Sequence, residues 1–218
     1  MSPVERALRA DAQRNLERIL EAARSVFTDL GLDAGMDLVA RRAGVGHGTV
    51  FRRFTGKDDL IAAVLADSLQ RQADLVERVS DAAPDAAAAF DAFAEAMVEW
   101  QLRDRALLEA VSCGALLHER TEEAHLRLAG LAERVVAAAR DAGAVRPDIT
   151  APDCAFVCHA VARIGVELGP RDPEAWRRYL RVMLDGLRPT GRSLPGRPPG
   201  WDDVRGGKGR EDCGATSG

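Results

Sequence analysis

Between Gly31 and Leu60 the chain reads GLDAGMDLVARRAGVGHGTVFRRFTGKDDL, and this stretch gathers side chains suited to contacting a polyanion. His47 and Thr49 carry compact hydrogen-bonding groups. Arg52, Arg53 and Lys57 follow within ten residues, and Arg41 and Arg42 lie just upstream. Cations in such a cluster neutralise phosphates, while short polar side chains at the start of a helix reach base edges in a major groove.

Those residues need elements that hold them on one face. A short helix is predicted from about Met36 to Ala43, with Gly35 at its N-cap and Gly44 just past its end. A second follows from about Gly48 to Phe54. Gly44-Val45-Gly46 between them has the length of a helix-turn-helix turn, with Val45 as its buried apolar residue. Val50 and Phe54 then face inward, and His47, Thr49 and Arg52 outward. Phe51 is expected in the core with Phe54. Ahead of this unit, Leu16, Ile19, Leu20, Ala23, Val26, Phe27 and Leu30 form one apolar stripe that Gly31 ends. Arg6, Arg9 and Arg14 precede the stripe and read either as an arm along a DNA backbone or minor groove or as a solvated terminus.

Thr55-Gly56 breaks the chain, and Lys57-Asp58-Asp59 opens a long helix with acids in its first turn. That helix runs toward Ala83-Pro84. Further helices are predicted at about 85–103, 104–117, 119–142, 151–168 and 173–187, started by Asp85, Asp104, Thr121, Pro152-Asp153 and Pro173-Glu174. The fold class is therefore all-α, with about nine helices. The expected organisation is a helix-turn-helix domain over 1–60, with helix 4 linking from 57, and a helical body over 61–188. Residues 189–218, rich in Gly, Pro, Arg and Ser, are expected to be a disordered tail.

The net charge of −4, from 30 Lys and Arg against 34 Asp and Glu, argues at face value against a nucleic-acid binder. Its distribution reverses that. Residues 1–60 hold ten bases and nine acids, whereas 61–188 hold fifteen bases and twenty-one acids. The acidity belongs to the body, and the cations suited to phosphates cluster between Arg41 and Lys57. No run is long and apolar enough for a membrane span, and no secretory leader is evident, so the cytoplasm is the expected location.

Cys154, Cys158 and His159, with Cys113, His118 and His125, invite a metal reading, but they lack the close pairing of a structural zinc site, and no metal is expected. The sequence also holds no nucleophile elbow, phosphate loop, paired-carboxylate signature or dinucleotide fingerprint. No enzyme activity and no cofactor are expected.

The run from Phe27 to Leu60 resembles the tetracycline-repressor-like (TetR) family of bacterial transcription factors. Phe27-Thr-Asp-Leu-Gly31 stands for the family's Phe-x-x-x-Gly. Val39-Ala-Arg-Arg-Ala-Gly-Val-Gly-His-Gly-Thr-Val-Phe-Arg-Arg-Phe-Thr-Gly-Lys-Asp-Asp-Leu60 follows the family's helix-turn-helix motif at the same spacing. The likeness spans about residues 13–65. Three positions depart from it: Gly35 replaces a Thr or Ser, Phe51 replaces a Tyr, and Leu38 stands where an acid or polar residue is common.

The resemblance implies a ligand-responsive repressor that contacts double-stranded operator DNA through Gly35, Met36, Arg42, Gly46, His47, Thr49, Phe51, Arg52, Arg53 and Lys57. It implies a small-molecule effector in the body, for which Phe93, Met97, Trp100, Leu107, Val111, Cys113, Leu117, His118 and His159 are the candidates. One helix-turn-helix reads only a few base pairs, so a palindromic operator and a homodimer are expected. The interface is expected on the helices at 151–168 and 173–187, through Phe156, Val157, Ala160, Val161, Ile164 and Val166 on the first and Trp176, Leu180, Met183, Leu184 and Leu187 on the second. Gly35 and Phe51 keep an alternative in view, a helical small-molecule sensor or protein-interaction module with reduced DNA binding.

Overall fold

The computed structural model of the chain describes residues 3–104, 108, 118–189 and 191–205. Among them are nine helices and no strand: α1 (Pro3–Leu30), α2 (Met36–Ala43), α3 (His47–Arg53), α4 (Lys57–Asp81), α5 (Ala86–Arg103), α6 (Glu119–Asp141), α7 (Ala151–Leu168), α8 (Ala175–Gly186) and α9 (Trp201–Val204). Apart from Asp104 and Leu108, the helix expected at 104–117 lies outside the described residues. Its place in the count is taken by α9, which composition did not suggest.

Helix ends follow local chemistry. The Asp85 carboxylate accepts the Ala88 N–H at 2.8 Å. Thr150 and Asp153 form a reciprocal capping box at the start of α7. The α6 cap is the His118 ring, accepting from the Arg120 N–H at 3.1 Å, three residues ahead of the expected Thr121.

Two apolar cores divide inside α4. Ile19, Ala23, Val26, Phe27, Val39, Val50, Phe54, Leu60 and Val64 fill the headpiece, and from Leu65 onward α4 belongs to the core of the body. The one long helix is thus a structural part of both units. In the body, α4 packs against α5 and α6, and α5 and α8 pack against α7. Gly165 on α7 permits the closest of these approaches: a Cβ there would stand 2.7 Å from Leu102 Cδ2 and 3.1 Å from Trp176 Cβ.

Several expectations are corrected. Helix α1 begins at Pro3, so Arg6 and Arg14 sit on its continuous backbone rather than on an arm, and Arg14 pairs with Asp11 in the preceding turn. Leu30, at the end of the stripe, is exposed. The chain from 191 to 205 does not stay off the body. Arg146 forks onto Asp148 at 2.6 and 3.1 Å, its Nη2 also donates to the Arg192 carbonyl, and Asp148 accepts the Leu194 N–H at 2.7 Å. Trp201 then donates its indole N–H to Glu133 at 3.0 Å and meets the His125 ring edge-on at 5.7 Å. Low apolar content forbids a segment from making its own core, but it does not stop the segment from borrowing a neighbour's.

Candidate nucleic-acid interface

The turn that orients α3 is built on Gly44, whose φ of 63° is the left-handed conformation that favours glycine. Arg18 of α1 reaches across to this corner. Its Nη2 donates to the Ala43 carbonyl at 2.6 Å and the Gly44 carbonyl at 3.3 Å, which satisfies acceptors left open at the end of α2. Gly46 in extended conformation then caps α3, with the Thr49 N–H on its carbonyl at 2.8 Å.

Val50 and Phe54 are buried at one turn's separation and fix the inward face of α3. Phe51, one position past Val50, is rotated about 100° around the helix and points out. It is 46% exposed, which corrects the expectation that it packs in the core. His47 stacks on it, with ring centroids 4.2 Å apart and planes at 22°. His47, Arg52 and Arg53 are exposed and Thr49 is half-buried, accepting from Arg52 Nη2 at 3.4 Å.

The flanking cations differ in freedom. Arg42 donates to Ser25 at 2.6 Å and to Asp29 at 3.0 Å, so α1 holds it. Lys57 stands 3.7 Å from Asp33. Arg41 and Arg53 are exposed without an ion-pair partner among the described residues. Gly35 is exposed at the N-cap of α2 and offers no side-chain bond. Met36 is buried in the headpiece core, so only its backbone N–H is available to a phosphate.

Two buried acids tie this headpiece to the body. Asp59, in the first turn of α4, accepts the Thr55 N–H at 2.9 Å and pairs with Arg120 of α6. Burial pushes its carboxyl up, but the Thr55 N–H and the Arg120 guanidinium outweigh that and hold it below the usual carboxylate range. Asp104, at the C-cap of α5, stands 3.5 Å from Arg24 Nε of α1. Arg24 also pairs with Asp67 of α4. Ser68 donates to Asp104 and accepts the Trp100 indole N–H at 3.0 Å. The sequence marks both acids only as helix-start residues, because their cationic partners Arg120 and Arg24 are distant in the chain.

Of the candidate effector residues, Phe93, Met97 and Trp100 lie together on α5. Phe93 and Met97 are buried core residues, Met97 taking the Gln72 amide N–H on its sulfur at 3.3 Å. His118 caps α6, and His159 on α7 pairs with buried Gln101 at 3.0 Å. Leu107, Val111, Cys113 and Leu117 lie outside the described residues. A cleft of about 510 Å³ is lined by Leu102, Val166 and Trp176 together with Glu99, Arg103 and Arg177, and none of the described candidates lines it.

No three His, Cys, Asp or Glu side chains converge on a metal-sized site among the described residues. Cys154 and Cys158 are buried, and burial pushes the Cys158 thiol up to about 12. Both are inert core residues at neutral pH.

Comparison with known proteins agrees with this architecture. Residues 19–64 match the family model of bacterial regulatory proteins of the tetR family, and residues 85–189 match that of the C-terminal domain of SbtR-like transcriptional regulators. The TetR transcription regulatory protein from Mycobacterium vanbaalenii is 33% identical, with a TM-score of 0.60 over 83% of this chain and 99% of that one. The chain belongs to the TetR family. The HTH-type transcriptional regulator SrpR of Pseudomonas putida is 45% identical over 58 residues, 26% of this chain and 27% of SrpR. FadR from Bacillus subtilis, solved in complex with stearoyl-CoA, shares the fold at 14% identity, with a TM-score of 0.63 over 79% of this chain and 99% of that one.

Within the TetR frame the departures have structural meaning. Leu38 is half-buried against the headpiece core, and Phe51 keeps an exposed ring without a hydroxyl. The C-terminal family match ends at Pro189, so the strap that carries Trp201 lies beyond both matched spans. No described helix is long and apolar enough to cross a membrane.

Proposed function

We propose that this TetR-family chain is a cytoplasmic, ligand-responsive repressor that binds a palindromic operator as a homodimer. The observation that carries the reading is the α3 face, where His47, Arg52 and Arg53 stand exposed on a helix whose opposite side is locked by Val50 and Phe54. Contact with DNA is assigned to this face together with the Gly35–Met36 backbone, Gly46, Thr49, Phe51, Arg42 and Lys57.

An outward apolar surface on α7 and α8 supports dimerisation. Phe156, Ala160, Tyr179 and Val182 are exposed, and Val157, Ile164 and Met183 are half-buried. Val161, Trp176, Leu180, Leu184 and Leu187, expected at the same interface, are buried within the chain's own core and are removed from it. Across a twofold axis the remaining residues form the seam of a four-helix bundle.

The effector is assigned to the helical body. A protein of the same fold solved in complex with stearoyl-CoA supports a small-molecule effector. Effector binding lowers operator affinity only if the ligand prefers the DNA-incompetent arrangement. Helix α4, shared by the two cores, is the element through which that preference acts.

The test is fluorescence anisotropy with duplexes from the upstream region of the chain's own gene, at low and high salt. The repressor reading expects salt-sensitive, saturable binding that Arg53→Ala and Arg52→Ala weaken. Absence of binding at low salt, with both variants indistinguishable from wild type, would favour the sensor or interaction module.

A further inference from the structure

One acid stands inside the helix-turn-helix segment itself. Between residues 34 and 57 the chain carries Arg41, Arg42, Arg52, Arg53 and Lys57 and a single carboxylate, Asp37. That side chain is 70% exposed in the second position of α2, where it faces the start of α3. Simple electrostatics disfavours an acid beside a phosphate backbone. Its one polar partner among the described residues is His47, with Nε2 and Asp37 Oδ1 2.6 Å apart.

We infer that Asp37 is a positioning residue for sequence readout, holding His47 as the base-reading side chain of α3. The inference rests on the operator-binding reading above and specifies how that surface selects sequence.

Two contacts fix the imidazole. Asp37 Oδ1 stands 2.6 Å from Nε2, and the Phe51 ring lies stacked under the imidazole plane. An exposed histidine at the first position of a helix otherwise explores several rotamers, and holding it costs side-chain entropy at the moment of binding. Here the cost is met before DNA arrives. With Nε2 occupied by the carboxylate, Nδ1 is the ring nitrogen left for a base edge. Nδ1 has no partner among the described residues. Phe51 without a hydroxyl serves as the platform beneath the ring. One exposed stack and one close carboxylate contact thus convert a flexible surface residue into a fixed reader at one base pair of each half-site.

The experiment is selection from a duplex library with randomised half-sites, using the full chain as wild type, His47→Ala, Asp37→Ala and Asp37→Asn, followed by affinity measurements on single-base variants of the enriched sequence. The expected result is that His47→Ala lowers a preference of about five- to tenfold at one base pair per half-site to less than twofold, leaving other positions intact. Asp37→Ala flattens the same base pair, and Asp37→Asn, whose amide oxygen takes the place of Oδ1 beside Nε2, retains most of the preference. The side chains of both residues are more than half exposed, and unchanged thermal melts verify that the variants fold.

If Asp37→Ala instead tightens binding to all sequences equally and leaves the selected base unchanged, Asp37 is only a repulsive surface charge and the inference falls while operator binding stands. A His47→Ala variant with unaltered base preference overturns it as well. If the wild type enriches no sequence at all, both the inference and the operator reading are overturned.

Discussion

Arg24 of α1 lies with its Nε 3.5 Å from Oδ2 of Asp104, the residue at which α5 ends, so the headpiece is ion-paired to the body at a nearly dry contact. The Asp104 side chain is 5% exposed and that of Arg24 15%. Ser68 and Trp100 extend the contact into the body through hydrogen bonds, and Asp67 holds the same guanidinium from α4. A nearly buried carboxylate that loses its cation is costly. Arg24→Ala is expected to lower unfolding stability by about 3 kcal/mol, measured by urea denaturation. Glu21→Ala, which removes only an exposed partner of Arg24, is expected to lower it by less than about 0.5 kcal/mol. Equal losses in the two variants would refute the assignment of the cost to Asp104.

Gly44 supports a second prediction. Its left-handed φ and the Arg18 guanidinium 3.0 Å from where a Cβ would lie both oppose any side chain there. Gly44→Ala is expected to cost about 1–2 kcal/mol from backbone conformation, and it displaces the Arg18 bonds to the end of α2. Differential scanning calorimetry reads the cost. Because the corner aims α3, operator affinity is expected to fall with it.

The His125 imidazole sets a pH dependence. Burial, with a smaller push from Arg205 and against the pull of Asp202, lowers its pKa from 6.5 to about 4. Between those values the unfolded chain binds a proton that the folded chain refuses. Its contribution is therefore neutral above about pH 6.5, falls as pH drops toward 4, and levels off below. Burial lowers His159 in the same direction. From pH 7.5 to pH 5 the wild type is expected to lose about 2 kcal/mol through His125. His125→Leu should lose less over the same interval, by that amount, in paired urea titrations.

The α7–α8 surface gives a fourth. Val182 is 61% exposed and Phe156 43%. A charge at an apolar twofold seam is repeated on the opposing subunit, so Val182→Glu and Phe156→Glu are expected to yield monomers with native circular dichroism. Sedimentation equilibrium distinguishes the states. Monomers should bind a palindromic duplex far more weakly than wild type, since each brings one reading head. A wild type that sediments as a monomer at micromolar concentration would remove the interface.

Much of the fold is written in local patterns. Helical period, the glycines at 31, 44 and 46, and the helix starts at Asp85 and Pro152-Asp153 act within a few residues of chain, where a side chain's effect does not depend on distant neighbours. They located the helix-turn-helix and most of the helices, and the spacing from Phe27 to Leu60 was enough to resemble one family. Phe51 and Phe54, three residues apart, are equally apolar and both read as core, and only the packed headpiece assigned Phe54 to the core and Phe51 to the surface. The α7 and α8 stripes could serve the chain's own core or a partner, since apolarity is the same in both. Packing against α5 decided that Trp176 and Leu184 belong to the first and Phe156 and Val182 lie outside it. The ion pairs of Arg24 with Asp104 and Asp59 with Arg120, the Asp37–His47 contact and the Trp201 strap join residues that no sequence period relates. Charge and hydrogen bonding act through space, so these depended on the tertiary structure alone.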